Sequence, residues 1–196
     1  ERGFSVTMID RKPPCEETSF GNAGVISPWS CVPQSVPGLW RKIPGWLMDP
    51  KSPVFVRARH APAFLPWAVK FLSAGRHDRI DAVGDAMMSL SRNSPAKYRA
   101  LLQNTPALDL VKDSVYVFVY RRAAQASLDQ LGWRMRQRRD VPVSLIEAGE
   151  LREREPHISH EYEAAILIHG QGRALNPSAI GKAIAEKAES LGVRFV

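Results

Sequence analysis

The sequence predicts an α/β fold, and three observations support this class. Phe4–Ile9 is a short apolar and β-branched run of the kind that forms buried parallel strands. Val115–Tyr120 is β-branched or aromatic throughout, which indicates a second strand. A helical pattern over 176–192 leads directly into a further apolar run at 193–196. Strands and helices therefore alternate along the chain.

Composition is that of a folded protein and excludes several other classes. The chain has 196 residues, of which 44% are hydrophobic and 24% charged, and this excludes a mostly disordered chain. Apolar runs such as Ala63–Val69 are far shorter than the roughly 20 residues that cross a bilayer. Two cysteines, Cys15 and Cys31, are too few for a disulfide framework. We expect both to be reduced, small buried residues.

The N-terminal half lacks long regular elements until residue 66. Residues 12–38 are rich in proline, glycine and serine and predict a loop with at most one short helix. Residues 28–67 hold eight prolines and four of the five tryptophans, so we expect short helical turns there. Helical patterns follow at 66–74 and at 79–103, the second with a break at Ser94-Pro95.

The C-terminal half alternates more clearly between strands and helices. The patterns predict strands at 114–120, 141–146 and 164–169, and helices at 121–139 and 148–155. Asn176-Pro177 is a typical start for the last helix, because asparagine caps a helix and proline suits its first position.

The net charge is +7, from 27 basic and 20 acidic residues. Six of the arginines lie within 121–139. A basic surface is compatible with nucleic acid or anionic lipid as a partner, or with solubility alone. Few aromatic residues interrupt these arginines, so we expect no nucleic acid. The tryptophan-rich stretch with Arg41-Lys42 suits a membrane interface or ordinary packing.

Histidine spacing gives a weak indication of metal binding. His157 and His160, followed by Glu161, have a spacing found in metal sites, but no third ligand is apparent. We interpret them as loop histidines and predict no metal site.

Asp10 is the most informative single residue, because it closes the first strand. In dinucleotide-binding folds an acidic residue at the tip of the second strand accepts hydrogen bonds from ribose hydroxyls. The glycine-rich phosphate loop should lie about 20 residues upstream, yet only nine residues precede Asp10. We therefore expect the chain to be part of a longer protein. Many α/β proteins also end a strand in aspartate for topological reasons alone.

A second feature follows at Thr18–Pro28, which reads TSFGNAGVISP. Its small residues allow a ligand to approach the backbone, and its serine, threonine and asparagine side chains offer short hydrogen-bonding groups. An ordinary tight connection between elements is the alternative interpretation.

On these residues the sequence resembles the FAD-dependent D-amino-acid oxidase and dehydrogenase superfamily, nearest to bacterial D-amino-acid dehydrogenases. The segments that carry the resemblance are Val6–Arg11, Thr18–Pro28, Leu151–Pro156, Gly172–Pro177 and Gly192–Phe195. The resemblance runs from 1 to 196 and is patchy between 30 and 140. Asp10 and Asn176 stand where many relatives have glutamate and aspartate, and both replacements keep the hydrogen-bonding or capping ability.

The resemblance implies that FAD is the cofactor and that Asp10 binds its adenosine ribose, with Arg11 beside it. It also implies a group of residues along the path from pyrophosphate to flavin: Thr18, Ser19, Asn22, Ala23, Gly24 and Val25. Ile26–Pro28 would lie close to the flavin ring. The family's substrate-binding residues come from later in its chains, so the catalytic residues remain unknown.

The resemblance further implies a partial FAD-binding dinucleotide fold with an inserted α+β substrate domain. Segments 1–30 and 170–196 would belong to the FAD-binding domain and 31–169 to the substrate domain. The implied enzyme oxidises D-amino acids resembling D-alanine to 2-oxo acids and ammonia and passes electrons to a quinone or similar acceptor.

Other functions stay open beside this one. They are a glycine, sarcosine or D-arginine oxidase of the same superfamily, and a non-enzymatic basic module that binds lipid or nucleic acid. We expect a cytoplasmic protein, with peripheral attachment to the inner face of the plasma membrane left open, and we expect these 196 residues alone to be inactive.

Overall fold

The structure is a computed structural model that describes residues 3–52 and 55–196. Residues 1 and 2, which begin the predicted segment 1–30, lie outside the described residues, as do 53 and 54 in the proline-rich stretch. The described part of the chain forms two compact units. The first consists of 3–29, 91–128 and 140–196, and the second of 30–52, 55–90 and 129–139.

Strands and helices alternate, as expected for an α/β fold. The strands of the described chain are β1 (Thr7–Met8), β2 (Val25–Ile26), β3 (Val111–Tyr120), β4 (Val143–Glu147), β5 (Ala164–Ala174) and β6 (Arg194–Phe195). The α-helices are α1 (Ile43–Met48), α2 (Ala61–Ala74), α3 (Ile80–Ser91), α4 (Ser94–Leu102), α5 (Leu131–Gln137), α6 (Ala148–Arg154) and α7 (Pro177–Ser190). Short 3-10 turns occur at 39–41, 58–60, 106–110 and 123–125.

A four-stranded antiparallel sheet forms the centre of the first unit, and β5 is its middle strand. β3 pairs with one edge of β5 from end to end, apart from an irregularity between Ser114 and Tyr116. β4 and β2 pair with β5 at 164–168 and 172–173 respectively, so they share its other edge. The first half of β5, residues 164–168, is buried throughout and includes Ile166 and Leu167, and this long strand fixes the position of three others.

A separate parallel pair, β1 and β6, lies in the same unit. Thr7 pairs with Arg194 and Met8 with Phe195, and α7 leads into β6. The predicted start of α7 is confirmed, because the Asn176 side-chain oxygen accepts a hydrogen bond from the Ala179 amide at 3.0 Å. The helix thus returns the chain to the strand whose end carries Asp10.

The second unit contains α1, α2, most of α3, and α5. Met88, Trp133 and Met135 are buried in it together with Cys31. The described residues of the whole chain include no helix with the length and apolar character that spanning a bilayer requires.

Several predicted elements are wrong in extent. The predicted helix at 121–139 is a 3-10 turn at 123–125 followed by α5 at 131–137. Its apolar spacing is helical, but residues up to Leu128 belong to the first unit and those from Asp129 to the second. The predicted strand at 4–9 is reduced to β1, since only residues 7 and 8 pair with β6 in the ladder. The expected burial is wrong as well, because residues 4–9 are all exposed.

Other corrections are smaller. The predicted loop at 12–38 contains β2, and the predicted strand at 164–169 continues to Ala174 because β3 and β2 pair with its second half. The helical pattern at 79–103 is interrupted at Arg92 and Asn93, next to the expected break. One boundary between the compact units, at Trp29 and Ser30, lies next to the predicted boundary at residue 30, whereas no boundary between them lies near residue 169. The division by function stays a prediction.

Candidate functional site

A cleft of about 390 Å³ lies in the first unit, where β1 and β6 end. The loop 13–19 forms one wall and α7 the other. Asp10, Thr18 and Ser19 are the residues of the predicted site that line it. Its apolar lining comes from the ends of both strands and from the helix: Met8, Ile9, Phe195, Ile184, Ala185 and Ala188. The apolar side chains could pack against a flat ring, and the polar side chains could form hydrogen bonds with a sugar.

Asp10 occupies the position at which parallel strands of α/β folds meet ligands, just beyond their carboxyl ends. Its backbone N–H continues the ladder and donates to the Val196 carbonyl at 3.0 Å. Its side-chain Oδ1 accepts from the Arg11 amide at 2.7 Å, and the carboxylate is exposed at the cleft. Because a carboxylate has acceptor capacity on both oxygens, Asp10 can still accept hydrogen bonds from two neighbouring hydroxyls.

The loop 13–19 is held against α7 by three contacts. The Ser178 hydroxyl donates to the Cys15 carbonyl at 3.0 Å, and the Lys182 ammonium pairs with Glu16 at 2.9 Å. Gly181 faces Cys15 so closely that a Cβ atom there would collide with the cysteine side chain. The absence of a side chain at Gly181 therefore sets the width of the cleft at this point.

Sequence reasoning missed this part of the site. One signal was available, because glycine inside a helix costs about 1 kcal/mol relative to alanine and needs a packing reason. Gly181 stands on a helix whose pattern is otherwise regular, with Ala185 and Ala188 continuing the same small face. Cys15 has a φ of 63°, and no local sequence pattern predicts this left-handed backbone.

Arg11 lies beside Asp10 but points to a different partner. Its guanidinium pairs with Glu17 at 2.8 Å, and Lys12 approaches the same carboxylate at 3.5 Å. Arg11 is 82% exposed and is absent from the described lining of the cleft. A contact between Arg11 and a nucleotide stays a prediction.

The stretch from Asn22 to Ile26 forms the turn into β2. The Asn22 side-chain oxygen accepts from the Gly24 amide at 2.8 Å, and the Gly24 carbonyl accepts from Ala174 at 2.7 Å. Gly24 has a φ of +65°, and a Cβ atom there would collide with the Ala174 carbonyl. Glycine is therefore required at this position by the sheet itself.

The remaining residues of that stretch give no direct link to the cleft. Ala23 and Val25 are exposed and Ile26 is buried in the core beside β5. The predicted cofactor contacts of Asn22, Ala23, Gly24, Val25 and Ile26 stay predictions, because these residues lie outside the described lining of the cleft.

A second cleft, of about 540 Å³, follows β2 in the same unit. The Trp29 indole N–H donates to the His169 carbonyl at 2.8 Å, and the His169 ring contacts the Ser144 hydroxyl at 2.8 Å. Arg99 and Asp113 form an ion pair of 2.6 Å at its side. None of these five residues was predicted as functional, since they come from separate parts of the chain.

The histidines considered for metal binding lie between α6 and β5. His157 is in a turn, and the His160 ring accepts from the Arg152 guanidinium at 3.0 Å. Across 3–52 and 55–196, no group of three or more histidine, cysteine, aspartate or glutamate side chains is placed to hold a metal ion.

The fold resembles that of a solved enzyme structure. The solved structure of glycine oxidase from Bacillus cereus has a similar fold, with a TM-score of 0.54 and 16% identity, over 99% of this chain and 39% of that one. The chain belongs to the FAD dependent oxidoreductase family (DAO), which matches residues 1–196.

Curated relatives agree with this family. The chain is 32% identical to a D-amino-acid oxidase of Bradyrhizobium diazoefficiens over 99% of its own length and 47% of the relative. It is 32% identical to a D-amino acid dehydrogenase of Phenylobacterium zucineum over 84% of its length and 39% of the relative. The chain thus spans about half the length or less of these relatives.

FAD is the cofactor of this family, and the cleft fits its adenosine part. Asp10 offers acceptors for ribose hydroxyls, and Gly181, Ala185 and Ala188 leave room along the helix wall, where Ile184 adds an apolar side chain. The hydroxyls of Thr18 and Ser19 add donors on the same side. These chain residues would hold the nucleotide end of the cofactor.

Proposed function

We propose that the whole protein oxidises D-amino acids with small side chains, such as D-alanine, to 2-oxo acids and ammonia. Electrons would pass on to a quinone or a similar acceptor. The observation that carries the proposal is the exposed carboxylate of Asp10 at the cleft beyond β1 and β6. The names of the relatives, D-amino-acid oxidase and D-amino acid dehydrogenase, support the substrate class.

The residues of this chain act by binding and positioning. Asp10 accepts hydrogen bonds from the ribose, and the Thr18 and Ser19 hydroxyls donate to the anionic part of the dinucleotide. Contacts from Ser178 and Lys182 keep the loop in place, so the cleft is formed before the nucleotide enters. FAD, when bound, supplies the acceptor for two electrons. The substrate loses two electrons and two protons to become an imino acid, which water converts into the 2-oxo acid and ammonia.

Flavin absorbance of the whole protein tests the proposal. We expect a yellow protein whose visible absorbance bleaches when D-alanine is added without oxygen, while L-alanine leaves it unchanged. Glycine, sarcosine and D-arginine serve as the other arms of the same assay. A colourless protein would contradict the cofactor, and bleaching by glycine alone would contradict the substrate.

Substitution of Asp10 tests the observation that carries the proposal. A charge-assisted hydrogen bond contributes about 1.5–3 kcal/mol, so Asp10→Ala should raise the Kd of the whole protein for FAD by about ten- to a hundredfold. Asp10→Asn keeps an acceptor and should have a smaller effect. Titration of the apoprotein with FAD measures both.

Asp109→Asn is the matched control, because this aspartate is also exposed and lies away from the cleft. Equal Kd values for the Asp10 and Asp109 variants would contradict the assigned role of Asp10.

A further inference from the structure

The first cleft, beyond β1 and β6, is lined by carboxylates and not by cations. Asp10, Glu16 and Glu17 belong to its lining, and its described lining residues include no lysine, arginine or histidine. An ionised carboxylate accepts hydrogen bonds and cannot donate them. Ribose hydroxyls are therefore suitable partners for this wall, whereas a phosphate group on the ribose would meet negative charge.

Glu17 binds the two cations that follow Asp10 in the chain. The Arg11 guanidinium donates to one carboxylate oxygen of Glu17 at 2.8 Å, and the Lys12 ammonium lies 3.5 Å from the other oxygen. Glu17 belongs to the lining of the cleft, and neither Arg11 nor Lys12 is among the described lining residues. The side chains of Arg11 and Lys12 are 82% and 57% exposed. Both cations are therefore directed to Glu17 and to solvent.

The second glutamate of this wall has a different partner. The Lys182 ammonium of α7 pairs with Glu16 at 2.9 Å, and this contact connects the loop to the helix. Glu17 is thus the carboxylate that controls the position of Arg11 and Lys12.

The position of Arg11 bears on which nucleotide the cleft accepts. An arginine near the ribose is the group with which dinucleotide-binding folds accommodate a phosphate at the 2′ position. Arg11 has a suitable place in the chain for this role, because its backbone N–H donates to the Asp10 carboxylate at 2.7 Å. Its side chain is held by Glu17 instead. A 2′-phosphate would therefore lack this cation and would lie near two carboxylates.

We propose that Glu17 is a specificity-determining residue, which restricts the cleft to adenine nucleotides with a free 2′-hydroxyl. FAD belongs to this class. Glu17 excludes a 2′-phosphate by holding Arg11 and Lys12 outside the cleft and by adding its own negative charge to that of Asp10. An exposed ion pair is weak by itself, so the selectivity comes from both effects together. This inference rests on the proposed role of Asp10 and names the class of nucleotide that the same site accepts.

Two probes that differ by a single phosphate test the proposal on the whole protein. FAD is removed, and its rebinding is followed by flavin fluorescence in competition with AMP or with adenosine 2′,5′-bisphosphate. We expect AMP to bind about tenfold more tightly than the bisphosphate. Equal dissociation constants for the two probes would overturn the proposal without any variant.

Glu17→Gln tests the residue itself. The variant removes the negative charge and leaves Arg11 and Lys12 without their carboxylate, so the ratio of the two dissociation constants should fall about fivefold. The ratio cancels any change that affects both probes equally. Glu150→Gln is the matched control, because Glu150 is an exposed glutamate that pairs with Arg154 at 2.9 Å outside the described lining of the cleft. The control should leave the ratio unchanged, and equal ratios in the two variants would overturn the proposal.

The triple variant Arg11→Gln/Lys12→Gln/Glu17→Gln tests the role of the two cations. Without them a 2′-phosphate gains no new partner, so most of the change produced by Glu17→Gln should disappear. A change of the same size in both variants would overturn the mechanism in which Glu17 holds Arg11 and Lys12 outside the cleft.

Arg11→Gln alone keeps the proposal testable if Glu17→Gln does not fold. Because Glu17 already holds Arg11, the ratio of the two dissociation constants should change less than about twofold. A larger rise of the ratio would show that Arg11 binds the 2′-phosphate in the unmodified protein, and this would overturn the proposal.

Failure of this inference can be distinguished from failure of the proposed function. If FAD and AMP bind and the bisphosphate binds equally well, only the role of Glu17 is overturned, and bleaching of the flavin by D-alanine would still support the proposed function. If the whole protein does not rebind FAD, the proposed function is contradicted together with this inference.

Discussion

At the scale of single residues, Cys31 shows how burial in the protein interior changes the pKa of a side chain. Its side chain is fully buried in the second unit. Burial raises the pKa of the Cys31 thiol above its ordinary value of 9.0, and the nearby positive charges of Arg136 and Arg139 offset part of the increase. The folded protein then keeps a proton that the unfolded chain loses. The burial of the protonated thiol contributes its full share of the free energy of unfolding below about pH 9, and this share is lost as the pH rises further.

Alkylation should separate the two cysteines. Cys15 is half-buried and Cys31 fully buried, and both are free thiols. Since the thiolate is the reactive form, we expect iodoacetamide to label the Cys31 peptide at least tenfold more slowly than the Cys15 peptide between pH 7 and 9, as measured by mass spectrometry. Labelling in denaturant is the control and should equalise the rates. Equal rates in the native protein would contradict the burial of Cys31.

Single residues were also the level at which sequence reasoning was most informative about the site. Asp10, Thr18 and Ser19 line the cleft together, because a strand end and the loop that follows it are close in sequence. The contribution of Gly181 comes from a helix more than 160 residues away. Its contact with Cys15 depends on tertiary packing, which no local pattern reports.

At the scale of elements, β2 exists because of a turn and a distant partner. It has two residues, and its pairing with β5 depends on the close approach of Gly24 to Ala174. A strand so short has no periodicity to detect, so the sequence predicted a loop there. The start of α7 was predictable for the opposite reason, since its cap is formed by adjacent residues.

Comparison of two glycines, Gly21 and Gly24, distinguishes the cost of a left-handed backbone from the cost of a steric clash. Gly21 and Gly24 both have positive φ, at 69° and 65°, but a Cβ atom at Gly21 would meet nothing among the described residues within 4 Å. Gly21→Ala should therefore cost about 1 kcal/mol through the left-handed backbone alone. Gly24→Ala adds the collision with Ala174 and should cost roughly 2–4 kcal/mol.

Denaturant unfolding of both variants measures the difference. A free energy of unfolding that falls equally for Gly21→Ala and Gly24→Ala would show that the β2–β5 contact adds nothing.

At the scale of the whole molecule, each compact unit joins segments that are far apart in the sequence. In the second unit, the Arg139 guanidinium binds the Asp85 carboxylate at 2.8 Å and both the backbone and side chain of Asp81. Arg139 is 9% exposed. The arginine-rich stretch that suggested a binding surface is thus partly used inside the fold. Composition predicted the charge of this stretch. Which arginines form ion pairs inside the fold depends on the packing of 129–139 against α3.

Replacing Arg139 tests this role. Arg139→Gln leaves the aspartates without their main partner and should lower the free energy of unfolding by about 2–4 kcal/mol. Arg138→Gln is the matched control, because Arg138 pairs with the same Asp81 but is 54% exposed, and such a pair contributes less than ~1 kcal/mol. Hydrogen exchange in α3 and α5 locates the loss. Equal unfolding energies for the two variants would contradict a structural role for Arg139.

The position of β5 in the chain has a consequence for synthesis. All three strands that pair with β5 leave the ribosome before it does. β1 can pair with β6 only after 187 further residues, the separation of Thr7 and Arg194, have been synthesised. Until Ala174 has emerged, the edges of β2, β3 and β4 have no native partner, and such edges can pair with other nascent chains. Formation of this sheet therefore waits for the synthesis of β5, and slowing the ribosome just before the codon for Ala164 would lengthen the interval in which chaperones must protect the earlier strands.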